Sequence, residues 1–224
     1  MRMTSVPRYV LDLANWFGSE VHDLRTGVRF QPRRTSLKLN ELKDALLVRS
    51  GLIAIIAAEG SAGRQILALR YPNEMILPFN ANRNVTVEAI LQTDLAIAPV
   101  SAFHDALLKG PKMFSVLAQV LGRERAIASE WIARCGLSDS AGRLAHVLCE
   151  TFFRMGVDPN LDRLTLPFTQ QQLAEMTGQT PVHVNRMLAQ LEGQDLIARN
   201  VRDLVVKDWA ELSRVGRFEP TYLD

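Results

Sequence analysis

His183, Asn185, Arg186 and Gln190 are the residues whose types and spacing best suit chemistry, and that chemistry is hydrogen bonding rather than bond breaking. They lie in TQQQLAEMTGQTPVHVNRMLAQLEGQDLI, residues 169–197, where Val184, Met187, Leu188 and Leu191 recur at helical spacing as a buried stripe. The four polar side chains fall off that stripe. Thr180 is a good N-cap for this helix, and Pro181 suits its first position, where a missing N–H costs nothing. Ahead of it, Thr169 opens a shorter helix carrying Leu173, Ala174 and Met176. Gly178 ends that helix, because glycine turns left-handed most readily. Two short helices joined by a glycine turn form a helix-turn-helix, whose second member fits a DNA major groove.

The next residues extend the pattern. Ala198-Arg199-Asn200 and Val201-Arg202-Asp203-Leu204-Val205-Val206 read as two short strands around a polar turn. Such a hairpin makes a winged helix, and its wing offers Arg199, Asn200 and Arg202 to phosphates. Capped helical hairpins also occur in proteins that never touch DNA, and charge bears on the choice. The chain carries only +2, and residues 138–224 hold nine Arg and Lys against twelve Asp and Glu, a net of −3. A basic footprint must therefore be local, with Arg186, Arg199 and Arg202 on one side, and non-specific affinity is expected to be modest.

Upstream elements must position this unit. At 224 residues the chain can bury two modest cores. It has no run of ~18 apolar residues for a membrane span, and its first residues lack the apolar core of a signal peptide. A cytoplasmic protein is expected. Cys135 and Cys149 have no metal-ligand spacing and read as buried free thiols. No metal or cofactor is expected. GxSxG, P-loop, HExxH and CxxC patterns are absent, and His22, His104, His146 and His183 have no catalytic spacing. An enzyme is not expected.

Residues 20–100 alternate short apolar runs (45–48, 52–57, 65–69, 85–91, 95–100) with turns, as in an antiparallel sandwich, barrel or roll. Ser101 to Lys109 then reads as a short helix, and Pro111 starts a long one reaching Gly136. Along it Phe114, Leu117, Leu121, Glu124, Ala128, Trp131 and Cys135 alternate at three and four, a heptad stripe apolar at six of seven positions. That stripe either packs on the chain's own β domain or pairs two subunits; the second reading places Phe114, Leu117, Leu121, Ala128, Trp131 and Cys135 at a dimer interface. Ser138-Asp139-Ser140 reads as a hinge, with Ser140 capping a helix from Ala141 to Met155. The expected domains are residues 1–110, a dimerisation helix 111–137, and a winged helix-turn-helix domain 138–224.

This order resembles the cyclic-AMP receptor protein and fumarate-nitrate regulator (Crp/Fnr) family of bacterial transcription factors. The likeness is strongest over LTLPFTQQQLAEMTGQTPVHVNRMLAQLEGQDLI and extends to RLAHVLCE before it, to GSAGRQILALRYPNEMI, and to the tail RFEPTYLD. The first 40 residues match poorly. The resemblance implies an α+β fold: an N-terminal antiparallel β-roll of the cyclic-nucleotide-binding type, a long dimerisation helix, and a C-terminal winged helix-turn-helix. It also implies that Arg186 reads a guanine, with bidentate donation to O6 and N7. Asn185 falls at a base-contacting position, and Thr169 and Gln171 match positions that hold phosphates. Pro181 and Val182 stand where relatives carry charged residues; Val182 suits a thymine methyl, and His183 a base or a phosphate.

The effector side departs from the pattern. Members that bind cyclic nucleotide carry Gly-Glu and, about ten residues later, Arg-Ser or Arg-Thr. Here the matching positions are Leu77-Pro78 and Arg83-Asn84. Arg83 is the one candidate for an effector pocket, and cyclic nucleotide is not the expected signal. Both cysteines lie far from the N-terminal cluster of the iron–sulfur relatives. The expected protein is a homodimeric regulator on a near-palindromic double-stranded DNA site, with RNA polymerase as a partner and an unknown effector. The alternative is a sensor or scaffold dimer of the same fold that has lost DNA binding.

Overall fold

The computed structural model describes residues 6–32, 36–59, 63–78, 84–159, 163–200 and 203–224. Two compact units divide the chain, one spanning Pro7–Glu124 and the other built on Arg125–Asp224. Arg83 and Arg202 lie outside the described residues.

The first unit opens with helix α1 (Arg8–Glu20), which buries Val10, Leu13, Ala14 and Phe17, one face at spacings of three and four. Strands β1 (Arg25–Phe30), β2 (Ser36–Lys38), β3 (Asp44–Ser50), β4 (Ile53–Glu59), β5 (Gly63–Arg70), β6 (Met75–Ile76), β7 (Val85–Ala89) and β8 (Thr93–Pro99) follow. They form two four-stranded antiparallel sheets, ordered β1-β8-β3-β6 and β2-β7-β4-β5. Both sheets supply one apolar core. Phe30, Leu46, Val48, Leu95 and Ile97 come from the first, and Ile53, Ile55, Val85 and Val87 from the second. The alternation within β7 shows why: Val85, Val87 and Ala89 are buried while Thr86 and Glu88 are not, since successive strand side chains point to opposite faces. Glu88 on the outer face pairs with Arg64 at 2.8 Å. Helix α2 (Val100–Lys109) brings Phe103 against Trp16 and Phe17 of α1, at ring-centroid distances of 5.7 and 6.1 Å.

The long helix α3 (Lys112–Leu137) belongs to the first unit through Glu124 and to the second from Arg125 onward. In the first unit Arg123 reaches Glu74 at 2.8 Å, with both side chains buried, and Arg70 reaches Glu124 at 3.0 Å. Glu74 also accepts from the Tyr71 amide at 3.0 Å. These contacts tie the helix to the roll.

The second unit continues with α4 (Ser140–Arg154), β9 (Leu164–Thr165), α5 (Gln170–Thr177), α6 (Pro181–Gly193), β10 (Ile197–Asn200), β11 (Asp203–Val206) and α7 (Trp209–Gly216). One sequence expectation is corrected here. The cap of α4 is Asp139, whose carboxylate accepts from the Gly142 amide at 2.7 Å, not Ser140, which is the first helical residue. A charged acceptor makes the stronger bond to a free helical N–H. Helix α7 lies so close to α4 that a Cβ at Gly216 would come within 2.7 Å of the His146 backbone nitrogen. The three-stranded sheet runs β10-β11-β9, with Asn200 opposite Asp203 at the end of the wing.

Candidate nucleic-acid interface

Helix α5 begins with a capping box. The Thr169 hydroxyl accepts from the Gln172 amide at 3.2 Å, and the Gln172 side chain accepts from the Thr169 amide at 2.8 Å. Gly178, at φ 64°, ends it in the left-handed region. Thr180 then caps α6 by accepting from the His183 amide at 3.2 Å, with Pro181 at the first position. Val184, Met187, Leu188 and Leu191 are the buried face of α6. The sequence places these features because each depends on residues within one turn of the chain.

The opposite face of α6 is open. Val182 is 82% exposed, Asn185, Arg186 and Gln190 are exposed, and His183 is half-buried. Arg186 donates through Nη2 to His183 Nδ1 at 2.6 Å. The Asn185 Oδ1 accepts from Gln170 Nε2 at 3.2 Å and from Arg199 Nη1 at 3.4 Å. The sequence-predicted base readers are thus brought together on two turns of one helix, joined to the wing by Arg199.

The phosphate candidates are placed differently from one another. Thr169 is exposed, but its hydroxyl serves the capping box. Gln171 is exposed and donates to Glu175 at 3.0 Å. Asn200 is exposed at the end of β10. Arg199 is bound by Glu192, which accepts from both its guanidinium and its backbone amide. That hydrogen bonding holds the Glu192 carboxyl below the usual carboxylate range. Glu192 and Gln170 were not singled out in the sequence. The opposite charge of Glu192, seven residues before Arg199, was the available signal.

The heptad positions of α3 are also mixed. Phe114 is 48% and Leu121 46% exposed, Ala128 and Cys135 are exposed, and Leu117 is half-buried. Trp131 is half-buried and donates through Nε1 to Glu150 of α4 at 2.8 Å. Cys135 departs from the expectation of two buried thiols, because it lies on the outward side of α3. Cys149 is buried, and burial pushes its thiol up to about 12.

A Crp-like helix-turn-helix domain model matches residues 142–215, which include α5, α6 and the wing. The chain is similar to the cAMP-activated global transcriptional regulator CRP of Salmonella typhimurium, 21% identical over 197 residues, covering 85% of this chain and 92% of that one. The CRP of Klebsiella aerogenes matches to the same extent. Among solved structures, a CooA mutant from Carboxydothermus hydrogenoformans superposes with a TM-score of 0.74 at 20% identity, covering 96% of this chain and 99% of that one. FixK2 from Bradyrhizobium japonicum gives 0.68 at 19% identity, covering 86% and 96%. The match thus places a Crp-like helix-turn-helix domain at residues 142–215, and the whole chain shares the fold of these solved structures. No helix among the described residues is long and apolar enough to cross a membrane. No group of three or more His, Cys, Asp or Glu among them could hold a metal.

A buried polar cluster joins α3, α4 and the C-terminal tail. Glu150 accepts from Trp131 Nε1, Tyr222 Oη and Arg154 Nη1, each at 2.8 Å. His146 stacks on Tyr222, with Nδ1 at 3.0 Å from the Gly216 carbonyl. Burial, then the Glu150 charge, push the Tyr222 phenol up. Burial holds His146 below its ordinary 6.5, outweighing the Glu150 charge, which acts the other way. As pH falls through 6.5, an unfolded chain therefore takes up a proton at this histidine before the folded one does. Stability is full above that pH and declines below it, until the folded-state pKa is passed. Urea denaturation across this window is expected to show the decline in the native chain and its loss in His146→Gln. Equal slopes in the two would show that His146 does not carry it.

Proposed function

We propose that this chain is a transcription regulator of the Crp/Fnr family and acts as a homodimer on a near-palindromic duplex site. The observation that carries the reading is the outward face of α6, which presents Arg186, Asn185, His183 and Val182 on a helix capped at its N-terminus and buried on its other side. A helix of this kind enters a major groove with its first turns against the base edges, and two related by a two-fold reach successive grooves ~34 Å apart. The exposed Phe114, Leu121, Ala128 and Cys135 on α3 support pairing along that helix. Arg186 reads a guanine, Val182 meets a thymine methyl, and Asn200 with the wing contacts phosphate.

The β-roll is a degenerate effector domain. Leu77-Pro78 stands where the nucleotide-binding relatives carry Gly-Glu, and the described core between the sheets is apolar. It transmits a signal other than a cyclic nucleotide, and the regulator works with RNA polymerase in the cytoplasm. Selection of bound duplexes from a random pool, with sedimentation of the free protein, tests this. The expected results are a motif with two-fold symmetry and the mass of a dimer. A dimer that enriches no motif would support instead a scaffold of the same fold acting through protein contacts, which the acidic balance of residues 138–224 favours.

A further inference from the structure

On the outward face of the first two turns of α6, the side-chain groups left open to a ligand are hydrogen-bond donors and methyls. The His183 Nδ1 lies 2.6 Å from Arg186 Nη2. A guanidinium has donors only, so Nδ1 holds a lone pair and the neutral ring carries its proton on Nε2. The same reasoning orients Asn185. The amide atom facing Gln170 Nε2 at 3.2 Å and Arg199 Nη1 at 3.4 Å must be the oxygen, because both neighbours donate. Its two lone pairs are then occupied, and Nδ2 donates to no described residue. Arg186 adds further N–H groups, and Val182 adds methyls.

We infer that the first two turns of α6 read base acceptors only, and that Asn185 contributes a donor rather than the two-bond contact an asparagine can make to adenine. The inference rests on α6 being the groove helix and adds the class of base it accepts. In the major groove guanine presents the acceptors N7 and O6, and thymine presents O4 beside its methyl. Adenine offers one acceptor next to the N6 donor, and cytosine offers the N4 donor, which would meet donors from the protein. The half-site strand facing His183, Asn185 and Arg186 is therefore built from guanine and thymine. Gln170 and Arg199 are positioning residues: they hold the Asn185 oxygen away from the groove, and Glu192 in turn holds Arg199.

The test uses the full chain, duplex selection, and competition binding with each base substituted in turn. One half-site position should prefer guanine or thymine and lose about 5- to 150-fold when given adenine or cytosine, the ordinary range for a mismatched pair. Asn185→Ala should abolish the preference at that position alone. Asn185→Asp, which turns an acceptor outward, should move it to cytosine or adenine. The double variant Gln170→Ala, Arg199→Ala frees the amide oxygen and should raise adenine to parity there. A native preference for adenine at the position that responds to Asn185→Ala would overturn the inference while leaving DNA binding intact. So would a profile indifferent to both Asn185 variants. A native chain that enriches no motif would sink the DNA-binding reading and this inference with it.

Discussion

Arg186→Ala is expected to weaken binding to the selected duplex by ~1–3 kcal/mol and to relax the preference at one base pair of each half-site. The reason is local. Arg186 is exposed on α6, and its guanidinium donates to the His183 ring one turn earlier. Removing the guanidinium leaves the fold's apolar stripe of Val184, Met187, Leu188 and Leu191 untouched. The change should thus appear in affinity for the specific site and not in thermal stability. A guanidinium making two parallel bonds to guanine is not replaced by an ammonium, so Arg186→Lys should recover only part of the loss. Titration of native and variant protein against the selected duplex and its single-base variants decides the matter. Unchanged specific affinity in Arg186→Ala would remove this residue from the reading surface.

The second large effect is on stability. Glu150→Ala should cost the C-terminal unit about 3–5 kcal/mol, the ordinary penalty for deleting one partner of a buried ion pair. Glu150 is 2% exposed and accepts from α3 through Trp131, from the tail through Tyr222, and from its own helix through Arg154. Its removal strands the indole N–H and leaves the phenol with the His146 Nε2, 3.1 Å away. Glu150→Gln keeps one carbonyl oxygen and should lose less. Tryptophan fluorescence during urea unfolding reports the change, in a Trp16→Phe background so that only Trp131 and Trp209 contribute. A shift below ~1 kcal/mol would show that the cluster adds no more than a surface ion pair does.

That cluster also marks where sequence reading stops. The heptad stripe set Trp131 beside Phe114, Leu121 and Cys135 as one seam. In the folded chain its indole donates to Glu150, nineteen residues away. Periodicity identifies a face; it cannot say which neighbour covers each part of it. Helix α1 carries Val10, Leu13, Ala14 and Phe17 at legible spacing, in the first 40 residues that the family resemblance does not reach. The tail RFEPTYLD resembled one subgroup's ending. That Tyr222 and His146 face each other across seventy-six positions is a tertiary fact.

By itself the sequence determined an antiparallel β unit followed by helices, the helix-turn-helix with its Thr169 cap and left-handed glycine, and the polar face of α6. Each of these rests on interactions within a few residues, or on burial patterns of period two or 3.6. Only the tertiary structure decided which polar groups on that face were already engaged. Gln170 and Asn185 are fifteen residues apart, and Asn185 and Arg199 fourteen. Their meeting depends on how α5, α6 and the wing pack, because hydrogen bonds are satisfied in space and not along the chain.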